Sequence, residues 1–292
     1  MVRRLLFILS SVLSLGLVAR LASPPRKTAG NVHLSPLLPR TDILRAAGRP
    51  LLNLVTDYFW IQTIQAIGIA KTPAESRDVY DYAKLVTELD PDFRPVYAFA
   101  GVIIPARLPS GAWANTKEST ELLGRGVAQF PANVYLRILL TYNLVHFERD
   151  YSRAARLAEE TSKLSDAPSY LSGLATRLYA RAGAYEAGMI LARSLAESSE
   201  DPEARTAFGR RVMEIELERE LTAVDEALAL YKAREGHLPR DISTLVSSGD
   251  LRAMPHDPLG GQIRINAAGH ATSTSLTHRL TGFAGGSMEE SP

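Results

Sequence analysis

Residues 179–188 read Tyr179-Ala-Arg-Ala-Gly183-Ala-Tyr185-Glu-Ala-Gly188. An aromatic closes one helical stretch and Gly183 follows at its end. A second aromatic opens the next stretch, and a small residue stands three positions on. Glycine adopts the left-handed conformation that terminates a helix without steric cost. The same order recurs at an offset of 34 residues. Leu140 matches Leu174, Leu144 matches Leu178 and Tyr151 matches Tyr185. Ala154 matches Gly188, Leu157 matches Leu191, Ala158 matches Ala192 and Pro168 matches Pro202. The matched residues are apolar, small or turn-forming, the types that set helix packing. Self-similarity at such a period marks an array of helix pairs.

The flanking chain fits the array. From Asp57 to about Arg234 it reads as successive helices with short breaks, without strand-like alternation. Val79-Tyr-Asp-Tyr-Ala-Lys-Leu85, ending in Leu89-Asp-Pro91, marks another pair, with residues 57–70 as its first helix. A further unit spans Pro95 to Pro131, with Ala98, Gly101 and Ile104 on its first helix and residues 116–130 as its second. It is too long for the period by about three residues and lacks the glycine–aromatic joint.

A 34-residue period and these matched positions resemble the tetratricopeptide repeat. The resemblance covers residues 57–202 and implies an all-α, right-handed helical solenoid over residues 41–202. Ala154, Gly188, Tyr151, Tyr185 and Gly183 then set the repeat packing, and Pro168 and Pro202 close each second helix. The first helix of each pair lines a concave groove that takes a partner polypeptide. Trp113, in the Gly/Pro/Ser-rich loop 105–115, is the exposed candidate for partner binding, with Tyr142 and Arg177 on first helices. Trp60, inside Tyr58-Phe-Trp-Ile61, reads as core.

Residues 203–280 differ in character. Phe208, Val212 and Ile215 hold one helical phase; Leu217, Leu221, Val224, Leu228 and Tyr231 hold another. The slip marks a kink or a change of packing partner. Gly236 and Pro239 stop the helix, and a short turn or helix follows at Ile242–Val246. Asp257-Pro-Leu-Gly-Gly261 is a turn signal. Residues 262–266 and 271–275 read as a hairpin. The order Tyr231, Glu235-Gly-His-Leu-Pro239, Leu245-Val246, Asp257-Pro258 and Gly260 resembles the heads of major pseudopilins. A helix-plus-hairpin cap is therefore expected on the solenoid, either as cap alone or also as a recognition element. Residues 281–292 read as a disordered tail.

At the other end, Arg3 and Arg4 precede an apolar run from Leu5 to Ala19. That is the look of an export signal or an uncleaved anchor over residues 1–22. Residues 23–40, with four prolines, read as an extended tether. The expected address is the bacterial inner membrane, facing the periplasm, or the periplasm itself if the signal is cut. The groove's functional alternative is that the tether fills it.

The 292 residues carry 33 Lys+Arg against 32 Asp+Glu and no cysteine. Near-zero charge argues against nucleic acid as the main partner. The lack of cysteine removes disulfides, thiolate metal sites and a cysteine nucleophile. His237, His256, His270 and His278 lack metal-ligand spacing. Asp257 and Asn266 are too few for calcium. Glu214, Glu216, Glu218 and Glu220, interleaved with arginines, read as a solvated helix face. No cofactor or metal is expected. The reading is a non-catalytic scaffold of the cell envelope, binding a protein of a pilus or secretion machine and tethered to the membrane. The alternative is a pseudopilus-like subunit assembling through residues 203–280.

Overall fold

A computed structural model describes residues 33, 35–48 and 51–280. Twelve elements lead through most of the described chain: α1 (Thr41–Gly48), α2 (Leu52–Ile69), α3 (Pro73–Leu89), α4 (Arg94–Ile103), β1 (Ala106–Arg107), β2 (Trp113–Ala114), α5 (Thr116–Gln129), α6 (Val134–Asn143), α7 (Tyr151–Ser162), α8 (Tyr170–Arg181), α9 (Tyr185–Ser198) and α10 (Pro202–Glu235). A π turn, Leu144–Glu148, extends α6. The chain then forms α11 (Ile242–Ser247), β3 (Ile263–Ile265) and β4 (Ala271–Ser273). The result is mostly helical, with solenoid-like packing of successive helices and a small C-terminal hairpin.

Side-chain caps start many of these helices. Thr72 and Glu75 form a reciprocal capping box at α3, before Pro73. Asn133, Asp150, Asp201 and Asp241 each accept a hydrogen bond from a backbone N–H of the helix they precede. The joints between helices carry the period. Asn115, Arg149 and Gly183 all have positive φ, at 59°, 54° and 73°. They lie 34 residues apart, each just ahead of a second helix. Only the last joint uses glycine followed by an aromatic opening.

The extra length of the 95–131 unit sits in the β1–β2 ribbon, which pairs Ala106 with Ala114 and Arg107 with Trp113. Pro202 opens α10 instead of closing the preceding helix, which ends at Ser198, and Pro168 stands beyond the end of α7 at Ser162. A proline is tolerated in the first turn of a helix, where its missing N–H has no partner to lose.

The chain divides into two compact units, up to Glu148 and from Arg149. In the first, each helix packs on its neighbours in sequence. Alternate helices also touch: α2 with α4, α4 with α6, and α3 with α5. Helices α4 and α5 run antiparallel at close range. A Cβ on Gly126 would lie 2.8 Å from the Tyr97 side chain, and one on Gly101 would lie 2.8 Å from Leu123. A buried polar chain links three helices here. The Asn143 amide donates to Ser119 Oγ at 2.7 Å, and Ser119 donates to the Gly101 carbonyl at 2.6 Å. Residues 35–40 lie beside α3, and His33 reaches Asp78 at 3.1 Å.

In the second unit, α7, α8, α9 and α10 pack in sequence, and α8 touches α10. Ala154 is fully buried on α7. A Cβ on Gly188 would meet Tyr179 at 3.2 Å and Ile215 at 3.3 Å. The Arg181 guanidinium covers the Tyr151 ring at 4.4 Å, and the Tyr185 hydroxyl lies 3.0 Å from Thr222 Oγ1. The α10 phase slip is a change of partner. Ile215 packs with Ala180, Met189 and Ala192, whereas Leu217, Leu221, Val224 and Leu228 pack with Ile242, Leu245 and Ala271. Helix α10 itself is continuous.

Glu218 corrects the solvated-face reading. It is 0% exposed, and its carboxylate accepts from Arg279 at 2.7 and 2.9 Å and from the Leu280 N–H at 3.1 Å. A buried carboxylate persists only when charge and hydrogen bonds compensate for lost water. Asp257 plays a similar part in the hairpin. It accepts from Leu259 N at 2.8 Å, from Ser275 Oγ at 2.6 Å and from Ser273 Oγ. Burial raises its carboxyl, but these donors outweigh burial and hold it below the usual value.

Among the described residues no helix is long and apolar enough to cross a membrane. That finding corrects the expected membrane anchor and the inner-membrane address. The segment 1–22 on which they were placed, and the tail 281–292, lie outside the described residues.

Two outcomes test this account. Gly183→Ala should cost about 1 kcal/mol in urea unfolding, and Arg149→Gly should gain up to about 1 kcal/mol, because only glycine is unstrained at positive φ. The same sign for both would remove the left-handed joint as the shared constraint. Asp257→Asn should cost about 1–3 kcal/mol at pH 7 by leaving a donor without its acceptor. Because the folded carboxyl titrates low, its contribution is complete above the unfolded value of about 4 and fades as pH falls through the folded value. The difference in melting temperature between the two proteins should therefore shrink toward pH 3. A difference that stays constant would show that ionisation is irrelevant.

Candidate functional site

Helices α2, α4 and α6 form one layer of the first unit, and α3 and α5 form the other. The two layers are chemically unlike. Across α2, α4 and α6 each helix contains a single charged residue: Asp57, Arg94 and Arg137 respectively. Helix α2 is rich in apolar residues, and its exposed positions mix polar Asn53, Asp57 and Gln65 with large apolar side chains. Leu54, Ile61 and Ile64 are exposed on α2, Phe99 and Val102 on α4, and Tyr135 and Tyr142 on α6. Single exposed apolar residues need no explanation, but a row across three touching helices does.

Aromatic rings continue this surface. Trp60 is half-buried and sets its edge against Phe93 at 5.6 Å and Phe99 at 6.0 Å. It therefore bridges the core and the exposed Phe99. Trp113 is 49% exposed on β2, and Tyr142 is 51% exposed on α6. Phe147, in the π turn, brings these two candidates together, with its ring 5.4 Å from Trp113 and 5.9 Å from Tyr142. His146 stacks on Tyr142 at 4.3 Å. Arg107 stands directly across the ribbon from Trp113, so the two side chains share a face. Arg177 is exposed on α8 and belongs to the second unit.

The α3 and α5 layer presents paired charges instead. Arg77 bonds Glu118 and lies 3.6 Å from Asp81; Lys84 lies 3.9 Å from Glu121. Gln129 donates to Asp92 at 2.7 Å. Burial pushes the Asp81 carboxyl up, against the pull of Arg77. A cavity of about 560 Å³ lies between residues 36–42 and α3, lined by Leu38, Arg40, Asp81, Lys84, Leu85 and Glu88 among others. The described part of the tether thus rests by α3 and does not fill the α2–α4–α6 face.

Sequence reasoning reached Trp113 and Tyr142 but passed over Phe99, Val102, Ile61, Ile64 and Phe147. A usable signal existed for α2 and α4. A layer helix should carry a polar outer stripe, but α4 has only Arg94 and α2 interleaves its polar positions with Leu54, Ile61 and Ile64.

No protein-family model, no curated protein and no solved structure matches the chain. The tetratricopeptide and pseudopilin assignments are corrected to their coarser content. The chain is an all-α protein with repeating helix-on-helix packing and a small cap. Its joints and ribbon depart from the glycine–aromatic pattern that suggested the first family. Its C-terminal part is a short helix and a two-stranded hairpin laid on α10.

The two tryptophans report the site directly. With Trp60→Phe leaving Trp113 alone, and Trp113→Phe leaving Trp60 alone, iodide should quench Trp113 several-fold more strongly. Equal quenching would mean that the ribbon aromatic is covered.

Proposed function

We propose that the chain is a non-catalytic protein-interaction scaffold whose α2–α4–α6 face holds a partner polypeptide. The observation that carries this reading is the exposed apolar and aromatic row on that face, beside a second layer whose outer side chains are polar and partly joined in ion pairs. Fully burying a Leu, Ile or Phe side chain contributes about 1.5–3 kcal/mol, so half-exposed side chains retain about 1 kcal/mol each for a partner to recover. Tryptophan and tyrosine in such a surface are the residue types that most often dominate binding. An all-α repeat architecture supports the same reading, because touching helices offer an extended rigid surface.

The alternative, a subunit that assembles through residues 203–280, has less behind it. Helix α10 directs Leu217, Leu221, Val224 and Leu228 into its own cap.

The test is site-specific photo-cross-linking in cells that produce the protein. A photoreactive residue at Val102 should capture a defined polypeptide. The same group at Glu88, on α3, should not. Combining Ile64→Ser, Phe99→Ser and Tyr142→Ser should abolish capture while the melting temperature holds within a few degrees, because all three are surface positions. Equal capture from both faces, or capture that survives the triple variant, would sink the proposal.

A further inference from the structure

The scaffold reading names a surface; the charges around it name the kind of partner. We propose that the α2–α4–α6 face recognises an acidic amphipathic helix, its apolar stripe on Phe99, Val102, Trp113 and Tyr142 and its carboxylates on Arg94 and Arg107. This inference rests on the scaffold reading and deepens it.

Arg94 is exposed at the N-terminal end of α4, and Arg107 is exposed on β1 beyond its C-terminal end. Neither has a hydrogen-bond or ion-pair partner for its side chain among the described residues. Three cations of the same unit are matched, Arg77 with Glu118 and Asp81, Lys84 with Glu121, and Arg40 with Asp42, whereas exposed Lys71, before α3, and Lys117, on α5, lie outside α4 and the ribbon. The two unmatched guanidiniums thus stand one before and one after the α4 segment that carries Phe99 and Val102.

Geometry sets the spacing. The ten residues of α4 span about 15 Å, so carboxylates three to four turns apart on a partner helix would reach both arginines. Arginine forks pair carboxylates bidentately, which gives register as well as attraction. Asp57, exposed on α2, is the one acid on the three helices. It sets the polarity, because the partner's carboxylates must fall over α4 and the ribbon and away from α2.

The probe is a pair of designed helical peptides with one common leucine stripe. One carries glutamates on its polar face and the other carries lysines. Each is labelled and titrated with the full-length protein by fluorescence anisotropy. The glutamate peptide should bind at least about tenfold more tightly, and the preference should weaken as salt rises from about 50 to 300 mM. Arg94→Glu with Arg107→Glu should reverse the preference. Arg94→Gln with Arg107→Gln should abolish it with the fold intact by circular dichroism.

Equal binding of both peptides would overturn the acidic partner and leave the scaffold standing. Binding of neither peptide would also overturn it, and the scaffold would then be judged by cross-linking from Val102 alone. Binding to phosphatidylglycerol vesicles, with no binding of the glutamate peptide, would overturn it in favour of an anionic surface.

Discussion

Two helix packings in this chain, α4 against α5 and α9 against its neighbours, close on glycine. At Gly126 the Tyr97 side chain occupies the space a Cβ would need, and at Gly101 Leu123 does the same. At Gly188 the intruders are Tyr179 and Ile215. Overpacking such a contact by even a few atoms costs about 1–3 kcal/mol, a large part of the stability of a typical domain. Each contact fixes how deeply two helices interlock and how they are rotated. In the first unit this contact joins α4, which carries exposed Phe99 and Val102, to α5, which carries the paired Glu118 and Glu121.

The period was legible because its chemistry was explicit at one joint. Gly183 followed by Tyr185 announces a left-handed turn and a new helix. The equivalent joints at Asn115 and Arg149 adopt the same backbone with residues that do not announce it. Asparagine tolerates positive φ, whereas arginine reaches it only when the flanking helices dictate it. The surplus length of the 95–131 unit was visible, but its use as a ribbon was not, since two-residue strands have no periodicity to read. In α10 the slip between Ile215 and Leu217 was also visible. Only three-dimensional packing shows that one continuous helix serves two clusters.

Glu218 shows where pattern fails. Among Glu214, Glu216 and Glu220 it looks like one more solvated acid. Its partner, Arg279, lies 61 residues on, in a segment without regular structure. Burial of a charge is a property of the pair, and the pair forms only after the cap has folded onto α10. The aromatic cluster failed to be read for a related reason. Tyr142 touches both His146 and Phe147, four and five residues on. An α-helix places only the nearer one over Tyr142. The wider π turn at Leu144–Glu148 admits the second, and π turns are frequent at functional sites.

The contrast between the layers is the strongest argument for function. Surface helices in a globular protein balance an apolar stripe with a polar one. Helices α3 and α5 do so, and Arg77, Asp81, Lys84, Glu118 and Glu121 are joined in ion pairs across or along them. Helices α2, α4 and α6 do not, and the imbalance repeats on three neighbours. Exposed apolar surface on this scale carries a cost in the isolated chain, because ordered water and self-association both oppose it. Two arginines at the edges offset part of that cost by keeping the face hydrated. They also restrict what can cover it, since an uncharged or basic segment would bury them without compensation. A surface that is apolar in the middle and cationic at both ends is selective by exclusion as much as by attraction.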